Sequence, residues 1–452
     1  MRTRTPRRPR IRHAGQAVPV PSRWRGAAAI GLAGAGASFI ASTLALGVGA
    51  RVMARIPLLP AGREKSDAVV RAAFVDRVHL DATPETRRPG VLAIRQGGGA
   101  LSARLGAVTG HPTPTTVARP LLALDADRPG ARLEAGAAST NGYFWAGDPM
   151  TAHGLAFEEV DVPSPVGAMP AWLVPPGGDE AADGARSRGS CSHGTWAIIV
   201  HGHGATRGES LRLLPLLHRL GITALAITYR NDAGAAASAD RMMHLGAAEW
   251  EDAEAAVAFA LEHGARRVVL IGLSMGGGIA LRTSVLSAHR EQIAALVLDS
   301  PAVDWHDILD HHARALKAPR PLRALALWMM RSPWGARSVR LHEPIALEQM
   351  HAPFYAEHLS HPTLLLHAMA DTTVPPAPSA VLAHLRPDLV RFEPFAQATH
   401  TREWNTDPER CERIVAGFLD EVLGLGIDVE RLVLPVRDPA APPQERSSGR
   451  RL

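Results

Sequence analysis

Lysine is almost missing from this chain of 452 residues: Lys65 and Lys317 are the only two. Arginine therefore supplies nearly all the positive charge, a pattern that reflects the codon bias of a GC-rich genome rather than chemistry. Cysteine is equally scarce. Cys191 and Cys411 allow one disulfide at most and match no metal or redox spacing. Net charge is small as well, with Lys+Arg 49 against Asp+Glu 44 giving +5. Residues 1–25 hold eight arginines and no acid, which leaves 41 against 44, or −3, for the remainder. The chain thus lacks a nucleic-acid-binding surface, because its basicity belongs to one tail.

Charge is also missing from Gly26–Ala50, a run of 25 residues between Arg25 and Arg51. That length crosses a bilayer with some tilt, although the run is rich in Ala and Gly. The arginines ahead of it outnumber those behind, so the positive-inside rule keeps the N-terminus in the cytoplasm and sends the rest across. The expectation is a single-pass anchor at residues 26–50, with the following chain at the cell membrane but extracytoplasmic. The alternatives are a cleaved signal peptide, for which the apolar run is long, and a flexible arm off the membrane.

The most informative segment is Val269–Gly278, V-L-I-G-L-S-M-G-G-G. An apolar strand runs into Gly272-Leu273-Ser274-Met275-Gly276, the G-x-S-x-G turn that leaves a strained, exposed serine between strand and helix. A Cβ at Gly272 or Gly276 would collide across so tight a turn. Such a motif arises by chance in a chain with 41 glycines; the strand before it and the small residues after it make it specific. A serine nucleophile needs a base, and the base needs an orienting acid. Downstream, Thr363–His367 reads as a buried strand followed by Asp371, and Leu389–Pro394 as another followed by His400. Acid and histidine stand in the expected order, each on a loop just past a strand. Asp299, ending the strand Ile293–Leu298, is the competing acid; Asp371 is preferred because its loop comes one strand before the histidine loop.

A fourth element follows the strand Trp196–Val200: the turn His201-Gly202-His203-Gly204. An H-G-type turn here presents a backbone N–H to a developing oxyanion, and the second N–H comes from the residue after the nucleophile. These donors are His203 and Met275. A metal site is not expected, since no Cys or Glu follows His203 at ligand spacing, and no cofactor is called for.

Between these anchors strands alternate with helices, including a strand at Ile222–Tyr229 and a helix at Ala247–His263 with Ala248, Ala255, Val257 and Ala260 apolar. Such alternation implies a parallel sheet covered on both faces, with its ligand site beyond the C-terminal strand ends. Residues 56–155 read instead as short β runs between Gly and Pro clusters, a small β-rich domain. The α/β domain spans 156–427 and is interrupted by a polar loop at Asp179–Gly194. A helical cap insertion at about 302–361 would set substrate size; within it Trp305, Trp328 and Trp334 could line the pocket, although packing is the expected role. Residues 428–452 are Pro- and Arg-rich and expected to be disordered.

With these motifs in place the chain resembles the α/β-hydrolases, nearest the branch of serine esterases and prolyl-oligopeptidase-like enzymes. More narrowly it resembles membrane-anchored actinobacterial hydrolases. The segments His201–Arg207, Tyr229–Asp232, Leu245–Trp250, Gly272–Gly277, Leu298–Pro301 and His400–Asn405 carry the likeness over roughly 156–425. It implies an α/β-hydrolase fold and a Ser274–His400–Asp371 triad acting on a small-molecule ester, thioester or amide, with the membrane reached through the N-terminal helix. Acyl transfer and a non-catalytic scaffold are the alternatives. Haloalkane dehalogenation in its usual form is excluded, because the nucleophile position holds Ser274 and not Asp.

Overall fold

A computed structural model describes residues 44–60, 66–110, 112–126, 130–177 and 194–432. The first element, α1, is helical over 44–55 and runs into a short 3-10 turn at Ile56–Leu58. Six strands follow: β1 (Ala68–Ala73), β2 (Arg77–Asp81), β3 (Leu92–Gln96), β4 (Leu101–Leu105), β5 (Thr116–Ala126) and β6 (Gly136–Asn141). They close into an antiparallel barrel of order β1-β2-β5-β4-β3-β6 around Val70, Val78, Leu80, Ile94, Ala103 and Leu105. The expected β-rich region is therefore a barrel, and closure removes every open edge. The short helix α2 (Pro149–His153) leads out of it.

The larger unit is an eight-stranded sheet. Its first strands are β7 (Glu158–Ser164), β8 (Gly167–Val174), β9 (Thr195–Val200), β10 (Thr223–Ile227) and β11 (Arg267–Leu273). β12 (Ile293–Asp299), β13 (Thr363–Ala368) and β14 (Val390–Phe395) complete it. The order is β14-β13-β12-β11-β9-β10-β8-β7, parallel from β14 to β10 and antiparallel at β8 and β7. β9 and β13 are buried at every position, which is why their sequences read as unbroken apolar runs rather than alternating ones. Helices α3 (Leu214–Arg219), α4 (Trp250–Glu262) and α5 (Met275–Leu286) connect the early strands. On α4 the buried apolar positions are Ala253, Ala256, Val257, Phe259 and Ala260; Ala248 precedes the helix and Ala255 is only half-buried.

Between β12 and β13 lie α6 (Trp305–Ala315), α7 (Arg320–Arg331), α8 (Pro333–Ser338) and α9 (Ala352–His358), the helical insertion expected at 302–361. α10 (Ala377–Leu385) joins β13 to β14, and α11 (Glu403–Thr406) and α12 (Pro408–Leu423) follow β14. Of the three cap tryptophans only Trp305 packs, at 7% exposure; Trp328 and Trp334 are 50% and 76% exposed. Packing, the role expected of all three, fails for these two because their side chains project from the outer faces of α7 and α8.

Two boundaries differ from expectation. No helix among the described residues is long and apolar enough to cross a membrane, and residues 26–43 of the expected span lie outside them. Residues 44–50 belong to a helix that continues to Arg55, with Ala50 and Ala54 buried in the main core. The folded unit also extends past 427: Leu432 is buried, and the Arg413 guanidinium donates to the Val429 carbonyl at 2.9 Å. The rest of the expected disordered tail, and most of the 179–194 loop, fall outside the described residues.

Candidate active site

β11 ends at Leu273 and α5 begins at Met275, so Ser274 stands alone at the turn. Its φ is +55° and ψ −118°, a conformation that costs a non-glycine residue on the order of 1–3 kcal/mol. Close approach explains the flanking glycines. A Cβ on Gly272 would lie 2.4 Å from the Gly276 carbonyl oxygen, and one on Gly276 2.1 Å from that of Val200. The Ser274 N–H donates to the Asp299 carbonyl at 2.9 Å, tying the turn to the next strand.

Ser274 Oγ lies 2.8 Å from His400 Nε2, and His400 Nδ1 lies 2.7 Å from Asp371 Oδ2. The structure thus brings together three residues from the ends of β11, β13 and β14. The carboxylate can only accept, so Nδ1 carries the ring hydrogen and Nε2 is left to accept from the serine hydroxyl. The second Asp371 oxygen accepts the Thr373 and Val374 N–H groups at 2.7 and 2.9 Å. Burial alone would raise the Asp371 pKa; the bonds from His400, Val374 and Thr373 outweigh it and hold the carboxyl below its usual range. Asp371 is therefore ionised and fixed.

Asp299, the competing acid, makes no hydrogen bond to His400 among the described residues. Its carboxyl lies against that of Glu403, which burial and this neighbour push well above the ordinary carboxylate value. Ser300 Oγ donates to Glu403 at 2.6 Å. The pair is a buried support beneath the nucleophile turn.

His201–Gly204 follows β9 as expected, pinned from several directions. The Gly202 N–H donates to Glu209 at 3.0 Å, and Tyr229 Oη donates to the Gly202 carbonyl at 2.9 Å. His201 pairs with Asp232 at 2.7 Å and stacks on Tyr229 with ring centroids 4.3 Å apart. A Cβ on Gly202 would approach Ser274 Cβ to 3.1 Å, so this loop touches the nucleophile turn. The His203 and Met275 amides make no loop or cap hydrogen bond among the described residues. Met275 opens α5, where N–H groups lack intrahelical partners. The His203 imidazole meets the carbonyls of Pro57 and Leu59, just after α1.

Sequence reasoning missed the residues that brace these loops. Arg212 Nη1 donates to the Thr401 carbonyl at 2.7 Å, next to His400. The barrel domain reaches the helix that follows: the N–H of Val91, just before β3, donates to the Asn405 carbonyl in α11 at 2.7 Å. Tyr143, at the barrel exit, accepts the Thr206 N–H at 2.9 Å, beside a cavity of about 210 Å³ lined also by Trp145, Trp172 and Arg207. No local pattern marks these residues, because each partner lies tens to hundreds of positions away. Among the described residues no group of His, Cys, Asp and Glu could hold a metal ion. The arrangement is that of a serine hydrolase.

The profile of the alpha/beta hydrolase family matches residues 197–445, and that of a domain of unknown function (DUF8805) matches residues 68–135. Among solved structures, an esterase from Pyrococcus furiosus is similar over 60% of this chain and 94% of its own, at 18% identity and a TM-score of 0.44. An acylaminoacyl peptidase from Pyrococcus horikoshii is similar over 61% and 43%, at 17% identity and a TM-score of 0.44. A puromycin-hydrolyzing peptidase from Mycobacterium tuberculosis is similar over 79% and 54%, at 18% identity and a TM-score of 0.48.

Proposed function

The chain belongs to the alpha/beta hydrolase family, and from that premise we propose that it is a serine hydrolase cleaving carboxylic esters, thioesters or amides through an acyl-enzyme on Ser274. The observation that carries this is the unbroken relay Ser274 Oγ, His400 Nε2, His400 Nδ1, Asp371 Oδ2, with both gaps under 3 Å.

In this reading Ser274 Oγ attacks the acyl carbon while His400 Nε2 takes its proton. Asp371 holds the ring's tautomer and stabilises the imidazolium. The carbonyl oxygen, now anionic, accepts from the His203 and Met275 N–H groups. Collapse expels the alcohol, thiol or amine, which receives the proton from His400. Water then repeats the sequence in reverse and frees the acid. No cofactor enters. We also propose that residues 26–50 anchor the chain with the enzyme extracytoplasmic, on the strength of the charge asymmetry around the run.

Fluorophosphonate should label the wild-type protein on Ser274. Ser274→Ala, which fits the turn, should stay folded, take no label and lose activity by on the order of 10⁴ to 10⁶. Substantial turnover by the purified variant would end the serine mechanism. A series of p-nitrophenyl esters of rising chain length, run beside aminoacyl arylamides, then divides esterase from peptidase.

A further inference from the structure

α1 is apolar on two opposite faces. Ala50 and Ala54 pack into the core, while Leu44, Val48, Val52 and Ile56, spaced four apart, are 65%, 63%, 57% and 58% exposed. With one apolar face in the core, a second apolar stripe flanked by Arg51 and Arg55 suits a lipid–water interface, where arginines keep their heads in the polar layer. α1 leans on the cap, since a Cβ at Gly49 would stand 3.1 Å from Leu322 of α7. On the cap itself Leu316, Trp328 and Trp334 are exposed, and Arg337 lies over the Trp334 ring at 5.6 Å. Residues 311–342 hold seven lysines and arginines and no acid; Arg314 and Arg323 are paired with Asp310, and Arg331 with Glu348 at 3.5 Å. Exposed tryptophans beside arginines on an amphipathic helix are the chemistry of a lipid–water interface.

We propose that the outer faces of α1, α7 and α8 dock on an anionic bilayer, and that the Ser274 site draws acyl amphiphiles from that surface. The second half rests on the serine-hydrolase reading; the first does not. Two further observations favour lipid over another protein. The exposed stripe continues directly from the uncharged run that ends at Ala50. Within the cap the 311–342 stretch carries charge of one sign, complementary to anionic headgroups, while the acids Asp304, Asp307, Asp310, Glu343, Glu348 and Glu357 flank it. α1 and the cap adjoin the site on two sides. Pro57 and Leu59, just after α1, meet His203, and His311 and His312 of α6 meet the Thr372 and Thr373 carbonyls at 3.1 and 2.8 Å, beside Asp371.

The test uses the full chain reconstituted in phosphatidylcholine vesicles, with or without phosphatidylglycerol, bearing brominated acyl chains. Bromolipid should quench tryptophan fluorescence, and the double substitution Trp328→Phe, Trp334→Phe should remove a large part of that quenching; Trp24 in the tail supplies the remainder. Arg320→Glu with Arg337→Glu should reduce quenching in anionic vesicles only. It should also cut turnover of a vesicle-borne long-chain ester at least about tenfold while a soluble acetate ester changes less than about twofold. Quenching that is the same in wild type and the tryptophan variant overturns the docking surface, as does cross-linking of two copies through Trp334 without quenching. Equal loss on both esters overturns the substrate route. A protein that is quenched as expected but labels with no fluorophosphonate keeps its docking surface and loses the serine mechanism.

Discussion

Asp371→Asn is the sharpest probe of the relay, because it changes one atom's hydrogen-bonding sense and little of the shape. Asp371 uses one oxygen for the Thr373 and Val374 amides and the other for His400 Nδ1. In the asparagine variant the amide oxygen keeps the two backbone bonds, and the NH₂ group faces His400. A donor there drives the ring hydrogen onto Nε2, which can then no longer accept the Ser274 proton across its 2.8 Å gap. The loss should be on the order of 10³ to 10⁴ in kcat, or about 4–5.5 kcal/mol of barrier. Asp299→Asn is the control, since that carboxyl meets Glu403 rather than the imidazole; its cost should stay below about tenfold, or about 1.4 kcal/mol. The assay is kcat and KM on one p-nitrophenyl ester, with fluorophosphonate labelling rates alongside and circular dichroism to verify folding. If Asp299→Asn cost as much as Asp371→Asn, the acid has been assigned to the wrong strand.

Gly276→Ala should destabilise the fold by about 3 kcal/mol or more, because its Cβ would sit 2.1 Å from a backbone oxygen that cannot move aside; a urea midpoint equal to wild type would refute the close packing. Glu403 yields a pH prediction. Its folded pKa is raised above the ordinary 4.5, so the stability of the neutral carboxyl is whole below about pH 4.5 and is lost as pH climbs through the raised value. Each unit of elevation corresponds to about 1.4 kcal/mol. Glu403→Gln should therefore melt at an increasing advantage over wild type between pH 5 and pH 8, and a constant gap would show that the carboxyl is not held neutral.

The parts of the site written locally in the chain were legible. Gly272–Gly276 announces its turn because the backbone there admits few residues; His203 and Asp371 each follow a largely apolar run that is a buried strand, while His400 follows the half-exposed edge strand β14. Chain order then told which acid belongs to which base. What was illegible depends on packing across the sheet. Glu209 and Arg212 lie in a stretch with no motif, yet are buried because their partners Gly202 and Thr401 are. Barrel closure was equally hidden, since β1 to β6 are too short for any one of them to state its neighbour. Trp328 and Trp334 misled because composition favours burying tryptophan, whereas the outer faces of α7 and α8 leave them in the open.

The tie between Arg212 and the Thr401 carbonyl spans 189 positions, and the relay from His400 to Ser274 spans 126. Contacts of such sequence separation close late. A chain still emerging from the ribosome carries its serine long before its histidine, and the loop that bears the histidine is fastened only when the first barrel strands and the last helices have met. A nascent chain therefore cannot close the contact between Ser274 and His400 before position 400 has emerged. A copy that stalls or is clipped ahead of position 400 lacks the imidazole that joins Ser274 to Asp371.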